Sequence, residues 1–95
     1  KINPRNIEAI LRQHASVSEV VVMGRRDPDQ PEHGEYVVAY LQRKPGIAEA
    51  SQEELSEWCR ARMDRWWIPR VFHWCDTFPR TDLGKIRRAS VPFTE

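Results

Sequence analysis

Ninety-five residues with 40% hydrophobic and 31% charged side chains and a mean hydropathy of −0.68 fit one small soluble domain, so these residues hold no multidomain enzyme. A domain of this size buries roughly 60–68% of its unfolded surface, too little to enclose a large substrate, and a large pocket needs another domain. Fifteen Lys and Arg against fourteen Asp and Glu leave a formal net charge of +1, which supplies no global field for nucleic acid or an anionic membrane.

Asn3 caps a helix whose first residue is Pro4, where the missing N–H costs nothing, and Ile2 with Ile7 form a hydrophobic staple. Ile7, Ile10, Leu11 and His14 hold one face of this short amphipathic helix. Val17 and then Val20 to Met23 read as a β-branched strand covered on both faces, with Gly24 at its end. Arg25 to Gly34, rich in Asp and Pro, reads as a surface loop, and Glu35 to Gln42 as a second, antiparallel strand stopped by Lys44-Pro45-Gly46.

Ser51 followed by Glu54 is a capping-box pattern, and Leu55, Trp58, Cys59, Arg62, Met63 and Trp66 follow at helical spacing, which predicts a second helix ended by Pro69. Its Glu residues precede its Arg residues, matching the helix macrodipole without any ligand. Arg70 to Cys75 alternates as a third strand, and Ile86 to Val91 is expected to form one or two helical turns. The fold class is therefore α+β: a small three-stranded sheet flanked by helices, in the order α-β-β-α-β, over residues 1–95.

Cys59 and Cys75 lack paired spacing, which suits a reducing, cytoplasmic setting better than a disulfide scaffold. No run approaches the ~18–20 apolar residues of a membrane span. His73-x-Cys75 is the one close pair of soft ligands, and no zinc-type spacing accompanies it, so no metal site is expected. Trp58, Trp66 and Trp74 follow the core-facing periodicity, which favours packing over base stacking.

The segment Phe78 to Arg88 asks for more than a turn. Between Arg80 and Arg88 stand four positive residues and one negative, a local balance of +3. A phosphate-cradling P-loop fails, because it needs Gly at Pro79 and Ser or Thr at Ile86. There remains a lysine directly after a flexible glycine, presented to a partner as a point charge.

Pro79-Arg80-Thr81 followed by Gly84-Lys85-Ile86-x-Arg88 resembles the last core motif of the adenylate-forming superfamily, which holds acyl-CoA synthetases, nonribosomal peptide adenylation domains and luciferases. Ile2-Asn3-Pro4 with Ile7-Glu8 is similar to that family's segment after its interdomain hinge. His14-x-x-Val17-x-Glu19 with Val21-Val22-x-Gly24 resembles its first strand, Gly34-Glu35 the opening of its second, and Pro69, Phe72, Asp76 and Pro79 keep the spacing of its third. The resemblance covers nearly the whole chain. It implies the small C-terminal domain of such an enzyme, a fragment inactive without the large N-terminal domain that holds most of the ATP, Mg2+ and acid contacts.

The resemblance further implies that Lys85 bridges the substrate carboxylate and the α-phosphate during adenylation, with Gly84 as hinge of its loop. In the family the domain then rotates and offers its opposite face to a thiol. Lys1, Asn3 and Arg5 are the residues expected beside the pantetheine path, and Arg25 or Arg26 at the CoA 3′-phosphate. The implied partners are its own N-terminal domain, a carboxylic acid and CoA, and no nucleic acid. Two alternatives stay open: an adenylation domain loading a carrier-protein phosphopantetheine, and a non-catalytic interaction module. Trp67, standing where the family commonly has lysine, is expected to be exposed near the domain interface.

Overall fold

Asn3 takes an extended conformation and its side-chain oxygen accepts the Arg5 N–H at 3.1 Å, which starts helix α1 (Pro4–Leu11) with proline in its first turn. The computed structural model describes residues 3–26, 28–30, 32 and 34–88; the staple partner Ile2 lies outside them. Strand β1 (Val17–Arg26) pairs antiparallel with β2 (Glu35–Arg43), and β3 (Val71–Cys75) pairs parallel with β2, in the sheet order β1-β2-β3. Helix α2 (Gln52–Arg60) lies in the connection from β2 to β3, which gives the chain the α-β-β-α-β order.

As the central strand, β2 is buried from Val37 to Leu41, and its alternation feeds two cores. Val37, Ala39 and Leu41 join Val20, Val22 and Phe72 beneath Ile7 and Leu11 of α1 and Leu55 and Cys59 of α2. On the other face Val21, Val38 and Tyr40 pack with Phe78, and Ile86 covers part of the same patch. The segment that carries Lys85 thus closes the second face of the sheet.

Both outer edges of the sheet are blunted by side chains, as unpaired strand edges require. At β1 the Glu8 carboxylate accepts the Val22 N–H at 2.8 Å. At β3 the Gln52 amide donates to the Arg70 carbonyl at 2.8 Å and accepts the Phe72 N–H at 3.3 Å. Trp74 adds a bond from its indole N–H to the Ala50 carbonyl at 3.0 Å.

Several expectations from the sequence are corrected. Gly24 does not end β1: Gly24, Arg25 and Arg26 pair with Val37, Tyr36 and Glu35, because the ladder bonds to β2 outweigh the flexibility of one glycine. Arg25 and Arg26 therefore sit on a strand and not in a loop.

The second helix stops at Arg60. The Cys59 carbonyl accepts from both Arg62 and Met63, Asp64 then turns extended at ψ 148, and a 3-10 turn spans Arg65–Trp67. That break shifts the register, so Trp67 packs on the core while Trp66 is 73% exposed, the reverse of the sequence expectation for both.

Ile86 forms a bridge with Arg80 instead of opening a helix; residues 89–91 of that expected helix lie outside the described residues. His14 proves to be a core residue: its Nδ1 accepts the Ser16 N–H at 3.0 Å, its Nε2 faces the Glu54 carboxylate at 3.7 Å, and its ring meets Trp58 edge-on.

Candidate functional site: the Lys85 hairpin

After β3 the chain crosses the sheet and folds residues 79–87 into a small hairpin. Thr81 and Lys85 pair across it, with the Thr81 N–H donating to the Lys85 carbonyl at 2.7 Å and the Lys85 N–H to the Thr81 hydroxyl at 3.2 Å. The Gly84 N–H closes the turn on the Thr81 carbonyl at 2.9 Å, and Gly84 adopts φ +87. A tight turn followed by a left-handed residue is the usual form of a three-residue hairpin loop, and glycine takes that conformation at least cost. A Cβ on Gly84 would meet nothing within 4 Å, so the backbone angle and not crowding selects glycine here.

Arginines stiffen the hairpin. Arg80 donates from one Nη to the Gly84 carbonyl at 2.8 Å and from the other to Glu19 on β1 at 3.5 Å. Arg87 donates its backbone N–H to the Pro79 carbonyl at 2.7 Å and its Nε to the Arg80 carbonyl at 3.2 Å. Arg88 forks onto both carboxylate oxygens of Glu8, one contact at 3.1 Å, and Glu8 is buried to 1% exposure. Three of the four cations of this segment thus have local partners.

The fourth is Lys85. It is exposed, and its ammonium has no hydrogen bond or ion pair among the described residues. Leu83, at the tip of the same turn, is 88% exposed. A rigid turn holding one unneutralised ammonium outward suits an anion brought by another molecular surface, where removal of water strengthens the attraction.

The remaining sequence-predicted residues are spread over the fold. Asn3 and Arg5 lie at the start of α1, both exposed, with the Asn3 side chain occupied by its cap; Lys1 lies outside the described residues. Arg25 is half-buried and donates to the Tyr40 hydroxyl at 3.0 Å, whereas Arg26 is exposed. Among the described residues no group of three or more His, Cys, Asp or Glu side chains could hold a metal ion. Cys59 is free and buried; burial pushes its thiol up to about 11, with nearby Arg62 pulling the other way.

Sequence reasoning missed Glu8 as a partner of the hairpin. Its position beside Ile7 and three residues before Leu11 puts it at the margin of the apolar face of α1, which was a signal for burial, but nothing in the sequence names a partner 80 residues away.

The AMP-binding enzyme C-terminal domain model matches residues 6–85, most of the chain and up to the lysine itself. The chain belongs to that family. It is 33% identical over 95 residues to a linear gramicidin synthase protein of Brevibacillus parabrevis, covering 100% of this chain and 2% of that protein. To a long-chain-fatty-acid–CoA ligase of Bacillus subtilis it is 36% identical over 87 residues, covering 92% of this chain and 15% of the relative.

The fold of this AMP-binding C-terminal domain superposes on o-succinylbenzoate CoA synthetase from Bacillus subtilis with a TM-score of 0.81 at 28% identity, covering 99% of this chain and 18% of the other. The domain therefore spans less than a fifth of these proteins. Arg87 and Arg88 fall just beyond the matched segment, although they hold the lysine hairpin in place.

Proposed function

We propose that this domain serves an ATP-dependent, AMP-forming carboxylic acid:CoA ligase as its mobile C-terminal part. The observation that carries the reading is the Lys85 ammonium, without a partner among the described residues, on a braced hairpin at the end of the family match. In the first half-reaction a carboxylate oxygen attacks the α-phosphorus of ATP, a P–O bond forms, and the bond to pyrophosphate breaks. Negative charge gathers on the carboxylate and the α-phosphoryl group, and the Lys85 ammonium stabilises both when the hairpin docks on the large domain. Magnesium travels with the nucleotide phosphates, held by that other domain.

In the second half-reaction a thiolate attacks the acyl carbon and AMP leaves with the bonding electron pair. Lysine is not needed there. The domain turns, and the α1 end with Lys1, Asn3 and Arg5 borders the path of the pantetheine arm. Of the two cations assigned to the CoA 3′-phosphate, Arg26 is the freer, because Arg25 is engaged with Tyr40. The unpaired spacing of Cys59 and Cys75 in the sequence supports work in a reducing compartment such as the cytoplasm.

A second reading, loading of a carrier-protein phosphopantetheine, is favoured by the match over the full chain to a gramicidin synthase. Acid-dependent exchange of pyrophosphate into ATP by the protein that carries this domain, followed by thioester formation with CoA or with a carrier protein as acceptor, tests both. Exchange that falls in Lys85→Ala by about a hundred- to a thousandfold supports the ligase reading. Exchange at the wild-type rate would remove it. An unchanged CoA KM in both Arg25→Ala and Arg26→Ala would remove the 3′-phosphate assignment.

A further inference from the structure

The hairpin that presents Lys85 hangs from β1 and α1 by two arginines of very different character. Arg80 reaches Glu19 on β1 in a long contact of 3.5 Å between two side chains about a third exposed. Arg88 reaches Glu8, the most buried acidic group among the described residues, on α1. One Glu8 oxygen accepts the Val22 N–H and an Arg88 Nη; the other accepts the second Arg88 Nη and faces Arg12 at 3.8 Å. Hydrogen bonds from the β1 backbone and from both prongs of Arg88 fix the orientation of this carboxylate.

A two-pronged guanidinium–carboxylate contact sets an angle as well as a distance. Arg88 follows Lys85 by three residues, at most about 10 Å of extended chain, so rotation at Arg88 carries directly into the lysine. Apolar packing would hold the fold at this position as well as a buried ion pair does, and it would not fix the direction of the chain.

We propose that Glu8 and Arg88 form a positioning pair that aims the Lys85 hairpin at the reacting phosphate. The pair makes no contact with substrate; it acts through Lys85. This inference rests on the reading of Lys85 as the adenylation lysine.

The test compares Lys85→Ala, Arg88→Lys, Glu8→Gln and the double Glu8→Gln/Arg88→Lys variant in the intact protein that carries this domain. Arg88→Lys keeps the positive charge and loses the fork; Glu8→Gln keeps an acceptor for the Val22 N–H and loses the charge. The expected result is a fall of about tenfold in kcat for acid-dependent pyrophosphate release in each single variant, as for a small misplacement of a reacting group. KM for ATP and acid stays within about twofold, and the double variant is no slower than the worse single one, as residues acting as a unit require.

Thioester formation from supplied acyl-adenylate stays within about twofold of wild type in all four variants. Ser51→Ala, which weakens α2 far from the hairpin, controls for lost stability. Wild-type adenylation in Arg88→Lys and Glu8→Gln beside a slow Lys85→Ala would overturn the pair while leaving Lys85 its role. An equal loss in Ser51→Ala would overturn it as well. Wild-type adenylation in Lys85→Ala itself would overturn both the reading of Lys85 and the pair built on it.

Discussion

Arg80 donates to the Gly84 carbonyl at 2.8 Å, so the guanidinium of one leg of the hairpin closes the turn from which Lys85 projects. Its second contact, to Glu19, is solvent-exposed and worth no more than about 1 kcal/mol. Replacing Arg80 with Met is therefore expected to leave urea stability nearly unchanged and to slow adenylation by about three- to tenfold through a looser turn. Parallel denaturation and pyrophosphate-release assays check the pair of outcomes, and a large loss of stability with normal rates would contradict this role for Arg80.

Gly84 stands at φ +87 with open space where a side chain would project. Gly84→Ala is expected to cost about 1–2 kcal/mol through the left-handed conformation alone, with no clash to relieve. Gly84→Asn should recover much of that loss, since asparagine tolerates this region. Equal stability of the two variants, measured by urea titration, would show that the turn re-forms in another conformation.

Cys59 keeps its proton well above the ordinary thiol range because burial disfavours the thiolate. Its folded-state value of about 11 lies above the ordinary 9.0, so its contribution to stability is complete below pH 9 and is lost as pH rises toward 11. Cys59→Ala should flatten that alkaline loss. At pH 8 iodoacetamide should label Cys59 only on unfolding, as mass spectrometry of the alkylated peptides would reveal.

Trp66 projects into solvent with the Arg65 guanidinium 4.6 Å from its ring, whereas Trp58 packs on the core against His14. Trp66→Ala is expected to change stability by less than about 0.5 kcal/mol. Trp58→Ala should cost about 2–3 kcal/mol, less than a fully buried tryptophan because its ring is half-buried. Thermal melts that ranked the two variants the other way would mean that Trp66 is covered in solution.

Local chemistry made much of this fold legible. Asn3 and Ser51 mark their helices because each side chain accepts an N–H of the first turn, a bond that depends on residues next in sequence. The valine run marked β1, and Gly84-Lys85 the candidate site. What stayed hidden was set by contacts distant in sequence: the parallel pairing of β3 with β2, the extension of β1 past Gly24, and the pairing of Glu8 with Arg88. The early end of α2 was hidden for another reason. Met63 and Trp66 stand at helical spacing after Cys59, so the sequence periodicity ran on past the break at Asp64 where the helix did not.

The most direct test of Lys85 as the adenylation lysine is a separation of half-reactions in the intact protein bearing Lys85→Ala. Acid-dependent pyrophosphate release is expected to collapse while thioester formation from supplied acyl-adenylate proceeds at close to the wild-type rate. Equal loss of both half-reactions, or loss of neither, would contradict that role.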